Sequence, residues 1–205
     1  MVLGESGSGK STSLRNFEPG EVGVFNVTGK PMPFRKCLPQ VDQADYQTIT
    51  RTLAANNKRA YVVDDAGYLM QFDNFQRAKD TGYGKFTDMA KSFYELLRAA
   101  MATDADTVTY FLMHPDRDDM GREKPKTIGK MLDEKLNVQG LFPVVIDCEV
   151  RDGRHVFVTK NDGFGLAKAP IDMLPDVMDN DLKAVDTSIR EYWGMRQISD
   201  AEGGE

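Results

Sequence analysis

Cysteine is almost missing from this chain: Cys37 and Cys148 are its only two in 205 residues. They stand far apart, without the close spacing of metal ligands, which argues against a disulfide-stapled scaffold and a cysteine zinc site. Two buried thiols in a reducing cytosol are expected. Histidine is as scarce, with His114 and His155 alone and no partner at ligand spacing, so a structural zinc has no support. Long apolar runs are absent as well. Nothing approaches the length of a membrane helix, and no basic segment leads into an apolar one, so a soluble cytoplasmic protein with no membrane partner is expected. Nor is there a surplus of positive charge: 26 Lys and Arg face 32 Asp and Glu, a formal net charge of -6. That balance argues against coating nucleic acid through a global field and leaves room for a local basic loop on an acidic body.

What the sequence does contain is a dense phosphate-binding signature. Residues 4–11 read G-E-S-G-S-G-K-S and fill every fixed position of G-x-x-x-x-G-K-[ST], directly after the apolar Met1-Val2-Leu3. Gly4, Glu5, Ser6, Gly7, Ser8, Gly9, Lys10, Ser11 and Thr12 are therefore the nucleotide-binding candidates. Backbone N–H groups of such a loop turn toward the β-phosphate, Lys10 reaches the β and γ oxygens, and the Ser11 hydroxyl joins the Mg²⁺ sphere. A short helix should begin here, aim its N-terminus at the phosphates and stop at Glu18-Pro19-Gly20. Three residues before Gly4 make a short central strand; either the strand is unusually brief or the natural gene begins further upstream.

At this length a single α/β domain can bury its own core. Residues 21–27 suit a strand beside the first, and 28–39, with three prolines, should be irregular. Helical spacing marks 45–55, and 59–65 (R-A-Y-V-V-D-D) is the clearest buried strand. Residues 72–86 read as a loop or mobile helix, 87–101 as an amphipathic helix and 107–113 as a strand. The charged run 115–127 reads as a loop, and 128–136 as a short helix. Two β-rich runs, 142–150 and 154–159, flank an Asp-Gly hairpin signal. Residues 183–193 suit a closing helix, ahead of an acidic tail at 199–205. Strands alternating with helices imply a mostly parallel sheet with helices on both faces and an antiparallel hairpin added near the C-terminus. The core is assigned to 1–175, and the helix and tail to 176–205.

Asp64 ends the buried strand, at the sheet edge where ligands of open α/β folds bind, and is the candidate to hold Mg²⁺, through a water, opposite the Ser11 ligand. Asp65 could orient or deprotonate water, hold a neighbouring group or simply be solvated. It shares the site only if the chain turns after Asp64, because successive strand residues face opposite ways. Glu5 is a second candidate for water activation. His114 ends the next strand and either senses the γ-phosphate or caps that strand. An acceptor lid over 72–86, with Arg77, Lys79 and Lys85, would make the chain a small-molecule or nucleotide kinase. A third reading is a nucleotide-gated, protein-binding scaffold with little turnover.

With these motifs in this order, the chain resembles the P-loop ATPases of the RecA-like/AAA superfamily, and more closely the small phage-encoded AAA-family ATP-binding proteins of recombination modules. The phrases V-V-D-D-A, F-L-M-H, T-I-G-K-M-L and F-V-T-K-N-D-G-F-G-L-A-K carry the likeness. It implies ATP and Mg²⁺ as cofactors, a RecA-like core and His114 at the sensor position. It also implies a nucleotide-dependent homo-oligomer in which a basic residue from a neighbouring copy, Lys160 or Lys168, completes each site. Single-stranded DNA would follow the loop after the sensor strand, where Arg117, Arg122, Lys124, Lys126 and nearby Lys130 are the contacts. Phage recombination or replication proteins would be partners, in the bacterial host cytoplasm. The chain departs from a full AAA+ protein in having no room for a helical lid domain.

Overall fold

Strand β1 (Val2–Leu3) leads through the glycine loop into a 3₁₀ helix, Ser11–Asn16, in the computed structural model, which describes residues 1–118, 120–161, 163 and 165–198. Then follow β2 (Gly23–Asn26), β3 (Gln40–Asp42), α1 (Tyr46–Ala55), β4 (Ala60–Asp64), α2 (Gly67–Gln76), α3 (Gly84–Met101) and β5 (Val108–Met113). After these come β6 (Pro115–Arg117), β7 (Glu123–Pro125), α4 (Lys130–Lys135), β8 (Ile146–Arg151), β9 (Arg154–Val158), β10 (Val177–Asp179) and α5 (Leu182–Trp193). The predicted acidic tail and the Lys130 side chain lie outside the described residues.

The main sheet has eight strands in the order β10-β9-β8-β1-β5-β4-β2-β3. The stretch from β8 to β3 is parallel throughout, whereas β9 pairs antiparallel with both β8 and β10. Alternation along the central strands divides the core. Leu3, Tyr61, Val63, Phe111 and Met113 point to one face and pack with α1, α2 and α3. Val2, Val62, Tyr110, Leu112 and Ile146 point to the other, against Leu14 of the 3₁₀ helix, Phe17 just after it, and Leu182, Val185 and Ile189 of α5. The protein is thus an α/β fold with a mixed, mostly parallel sheet flanked by helices on both faces.

Local chemistry sets the helix ends. Asp45 caps α1 by accepting from Thr48 N–H at 2.8 Å, and Asn56 closes it at φ 47°. Asp181 caps α5 through Lys183 and Ala184 N–H, and Gly194 closes it. Buried Arg190 fixes that helix to the sheet. Its guanidinium pairs with Asp186 at 2.6 Å and donates to the carbonyls of Arg59, Asp106 and Arg196. Tyr110 also donates to Asp186, at 2.7 Å.

Several expectations need correction. Strand β2 does not lie beside β1; β5 and β4 intervene, because β2 pairs with β4 in register Asn26↔Asp64. Segment 72–86 divides between the two alternatives: α2 runs to Gln76 and α3 starts at Gly84, and the connection 77–83 is non-helical, with Arg77 bonded to Asp80 and Asp88. The charged run 115–127 is a β6–β7 hairpin, since its acids and bases pair with one another: Arg117 with Glu123 at 3.6 Å and Arg122 with Asp118 at 2.9 Å. The short helix expected after the glycine loop is present at Ser11–Asn16, as a 3₁₀ helix. Cys148 is buried as expected, but Cys37 is exposed. Among the described residues no helix is long and apolar enough to cross a membrane.

Candidate active site at the glycine loop

The loop leaves β1 under close packing. A Cβ at Gly4 would meet the Cys148 carbonyl and Ser8 Oγ at 2.4 Å, so only glycine fits, and Gly4 N–H donates to Met113 at 3.2 Å. Lys10 is 6% exposed and folds back over the loop, donating to the carbonyls of Gly4 at 2.8 Å and Glu5 at 3.1 Å. Burial pulls its ammonium below the ordinary value, with the negative charges of Asp65, Asp64 and Glu5 opposing.

One peptide of the loop is held from outside. The Ser8 carbonyl accepts from Cys148 Sγ at 3.2 Å and lies 2.8 Å from His155 Nδ1, while Asn180 Nδ2 donates to Cys148 Sγ at 3.2 Å. A trans peptide is planar, with C=O and the next N–H opposed, so anchoring the Ser8 carbonyl outward turns Gly9 N–H inward. Inward amides of this kind are what an anion-binding loop requires. Gly9 sits at φ 105°, and a side chain there would meet the His155 ring at 3.0 Å.

The loop and the acid pair meet at one cavity of about 270 Å³, bordered by Lys10, Ser11, Asp64, Asp65, His114 and Lys30. Ser11 Oγ donates to Asp64 Oδ1 at 3.0 Å. Burial pushes Asp64 up to about 6, against the Ser11 hydrogen bond. Asp65 adopts φ 61°, the turn needed to bring adjacent carboxylates to one space. Its Oδ1 lies 3.4 Å from His114 Nε2 and its Oδ2 3.5 Å from Lys30 Nζ. Burial works to raise Asp65, but the His114 hydrogen bond and the charges of Lys30 and Lys10 outweigh it, so its carboxyl sits below the ordinary range.

Ser11 and Asp64 are the residues suited to a divalent ion. Two ligands at adjacent corners of a Mg²⁺ octahedron with ~2.1 Å bonds lie ~3.0 Å apart, which the Ser11–Asp64 oxygen separation matches. Among the described residues there is no cluster of three or more His, Cys, Asp or Glu for a metal. An ion here would complete its shell with water and ligand oxygens, as Mg²⁺ commonly does.

The remaining sequence candidates divide. Glu5 lines a different and larger cavity, about 820 Å³, with Ser6, Gly7, Asp147 and Lys160. Lys160 pairs there with Asp176 at 3.3 Å. Lys168 is bridged through its backbone to Val145, ahead of β8, and lines neither cavity. Arg117, Arg122, Lys124 and Lys126 lie on or beside the hairpin, and Lys126 N–H donates to the His114 carbonyl at 2.9 Å. Lys30, His155 and Asn180 went unnoticed as site residues in the sequence. Lys30 belongs to a proline-rich stretch with no motif, and His155 reaches Ser8 across 147 residues. No family model matches the chain and no curated protein matches it, so a functional reading rests on this geometry.

Proposed function

We propose that this chain is a P-loop ATPase with a RecA-like core, which binds ATP with Mg²⁺ at residues 4–12 and hydrolyses it in the handling of single-stranded DNA. The observation that carries the reading is the Ser11–Asp64 contact at 3.0 Å, which joins two motifs 53 residues apart in sequence. The order β1-β5-β4 adds support, because it sets His114 between the glycine loop and the acid-bearing strand.

Each residue has a task. Inward amides of the loop and the Lys10 ammonium hold phosphate oxygens; Lys10 exchanges the Gly4 and Glu5 carbonyls for them. Ser11 and Asp64 hold Mg²⁺, which neutralises phosphate charge when bound. Asp65, kept ionised at neutral pH, accepts a hydrogen bond from water and aligns it with the terminal phosphorus. Its low basicity suits orientation better than full proton removal. His114 fixes the Asp65 carboxylate and is tied through its own carbonyl to Lys126 of the hairpin. A strand of DNA on Lys124 and Lys126 would thereby be coupled to the water-positioning group. A kinase reading has less support, since Arg77 is held by Asp80 and Asp88, and Lys85 by the Asn74 carbonyl.

The test is phosphate release from Mg-ATP, with and without single-stranded DNA, for wild type and Asp65→Asn. Wild type should turn over ATP and do so faster with DNA. Asp65→Asn should keep nucleotide affinity and lose roughly 100-fold or more in rate. Tight ATP binding without release would favour the nucleotide-gated scaffold, and release indifferent to DNA would favour a protein-directed switch. Sedimentation with a non-hydrolysable analogue tests the homo-oligomer in the same preparation.

A further inference from the structure

Lys30 is a cation that the proposed reaction has not yet used. Among the described residues bordering the 270 Å³ cavity, Lys10 and Lys30 are the only lysines or arginines, whereas two carboxylates, Asp64 and Asp65, face the same space. With Mg²⁺ on Ser11 and Asp64 and Lys10 at the loop, a triphosphate entering there still meets the Asp65 carboxylate, and Lys30 is the further cation beside that acid.

Lys30 is delivered by a built turn. Asn26, 2% exposed at the end of β2, donates through Nδ2 to the Lys30 carbonyl at 2.8 Å and to Asp42 Oδ1 at 2.7 Å. Its Oδ1 accepts Gly29 N–H at 3.0 Å. Since Asn26 stands in register with Asp64, this turn returns the chain over the acid-bearing strand. The Lys30 side chain then extends to Asp65 at 3.5 Å and lies 5.3 Å from the centre of the Tyr68 ring. With 64% of that side chain exposed, the ion pair is weak and readily exchanged.

We propose that Lys30 is a same-chain cation for the terminal phosphate of the bound nucleotide. Its ammonium passes from Asp65 to a γ-phosphate oxygen when a triphosphate enters, and the vacated carboxylate oxygen becomes available to water. In the hydrolytic step the water oxygen bonds to the γ-phosphorus. The bond from that phosphorus to the β–γ bridging oxygen breaks and its electron pair leaves with the diphosphate; one water proton stays on the attacking oxygen and the other passes to a γ oxygen, so both leave with the released phosphate while Asp65 only orients the water. Lys30 stabilises the charge spread over the γ oxygens, in the way a cationic finger does, without a second copy of the chain. This inference rests on the ATP-binding reading.

The experiment compares wild type, Lys30→Ala and Lys30→Arg for Mg-ADP affinity, affinity for a non-hydrolysable Mg-ATP analogue, and turnover. Lys30→Ala should keep ADP affinity within about twofold, lose about tenfold for the triphosphate analogue, and lose roughly 100-fold in turnover. Lys30→Arg should restore most of the triphosphate preference. Equal losses for both nucleotides, or no loss for either, would overturn the role of Lys30 while leaving the ATPase reading standing. Wild type that binds neither nucleotide would overturn both together. Because Lys30 is exposed and outside both core clusters, the variants should fold, and matching thermal melts verify it.

Discussion

At the scale of single residues, the site depends on groups that hold the loop as much as on groups that would touch phosphate. His155 borders the cavity on the loop side and holds the Ser8 carbonyl, so its removal should loosen the Gly9 amide, which faces the β-phosphate position. His155→Ala is therefore expected to weaken ADP and ATP binding by the same factor, about fivefold, the value of one net hydrogen bond. Fluorescent-nucleotide titration checks this, and a loss confined to ATP would contradict it. The contrast with Lys30 shows what the sequence could disclose. Residues 4–11 are contiguous and their spacing is itself the chemistry, so the loop was legible, as was Asp64 at the end of an unmistakable strand. Asp65 was legible as a conditional, because its use depends on a left-handed turn that an Asp tolerates but does not announce. His155, Asn180 and Lys30 reach the site only through strand register and turn geometry, and no local pattern marks them.

At the scale of elements, long periodic segments could be read and short pairings could not. Helices α1, α3 and α5, and strands β4, β5, β8 and β9, have patterns strong enough to find alone. Strands β3 and β10 are three residues each and exist because a neighbour supplies hydrogen bonds. The β6–β7 hairpin was hidden by its charge, since alternation of acids and bases looks like a solvated loop until they pair across strands. Helix α5 offers the sharpest energetic test. Arg190 is fully buried with Asp186, so Arg190→Met leaves a buried carboxylate without its cation and should destabilise the protein by about 3–5 kcal/mol. Lys183, paired with Glu21 at 2.8 Å near the surface, should cost below about 1 kcal/mol as Lys183→Ala. Urea unfolding of both variants decides it, and similar midpoints would show that the Arg190 network is not what docks α5.

At the scale of the whole molecule, two acids near the loop edge of the sheet, buried Asp64 and half-buried Asp147, tie stability to pH. Asp147 serves as the cleaner probe because it lies apart from Ser11 and Asp64. Burial first, then the charge of Glu123, pushes it up to about 6, and its Oδ1 has no hydrogen-bond partner. Between the ordinary carboxylate value near ~3.9 and about 6, the native state keeps a proton that the unfolded chain has released. Stability from this group is therefore greatest at the acid end of that window, falls as pH rises through it and levels off above. Asp147→Asn should be more stable than wild type at pH near ~7, by roughly 1–3 kcal/mol, and the two should converge toward pH ~4. Parallel pH profiles would place the strain elsewhere. The central claim, that residues 4–12 and Asp64 form a Mg-ATP site, is tested most directly by calorimetric titration of ATP into wild type and Lys10→Ala, each with Mg²⁺ and with chelator. Wild type should show saturable, Mg²⁺-dependent binding that is lost in Lys10→Ala while both proteins melt alike. Binding that is unchanged by the substitution, or no binding to wild type at all, would contradict it.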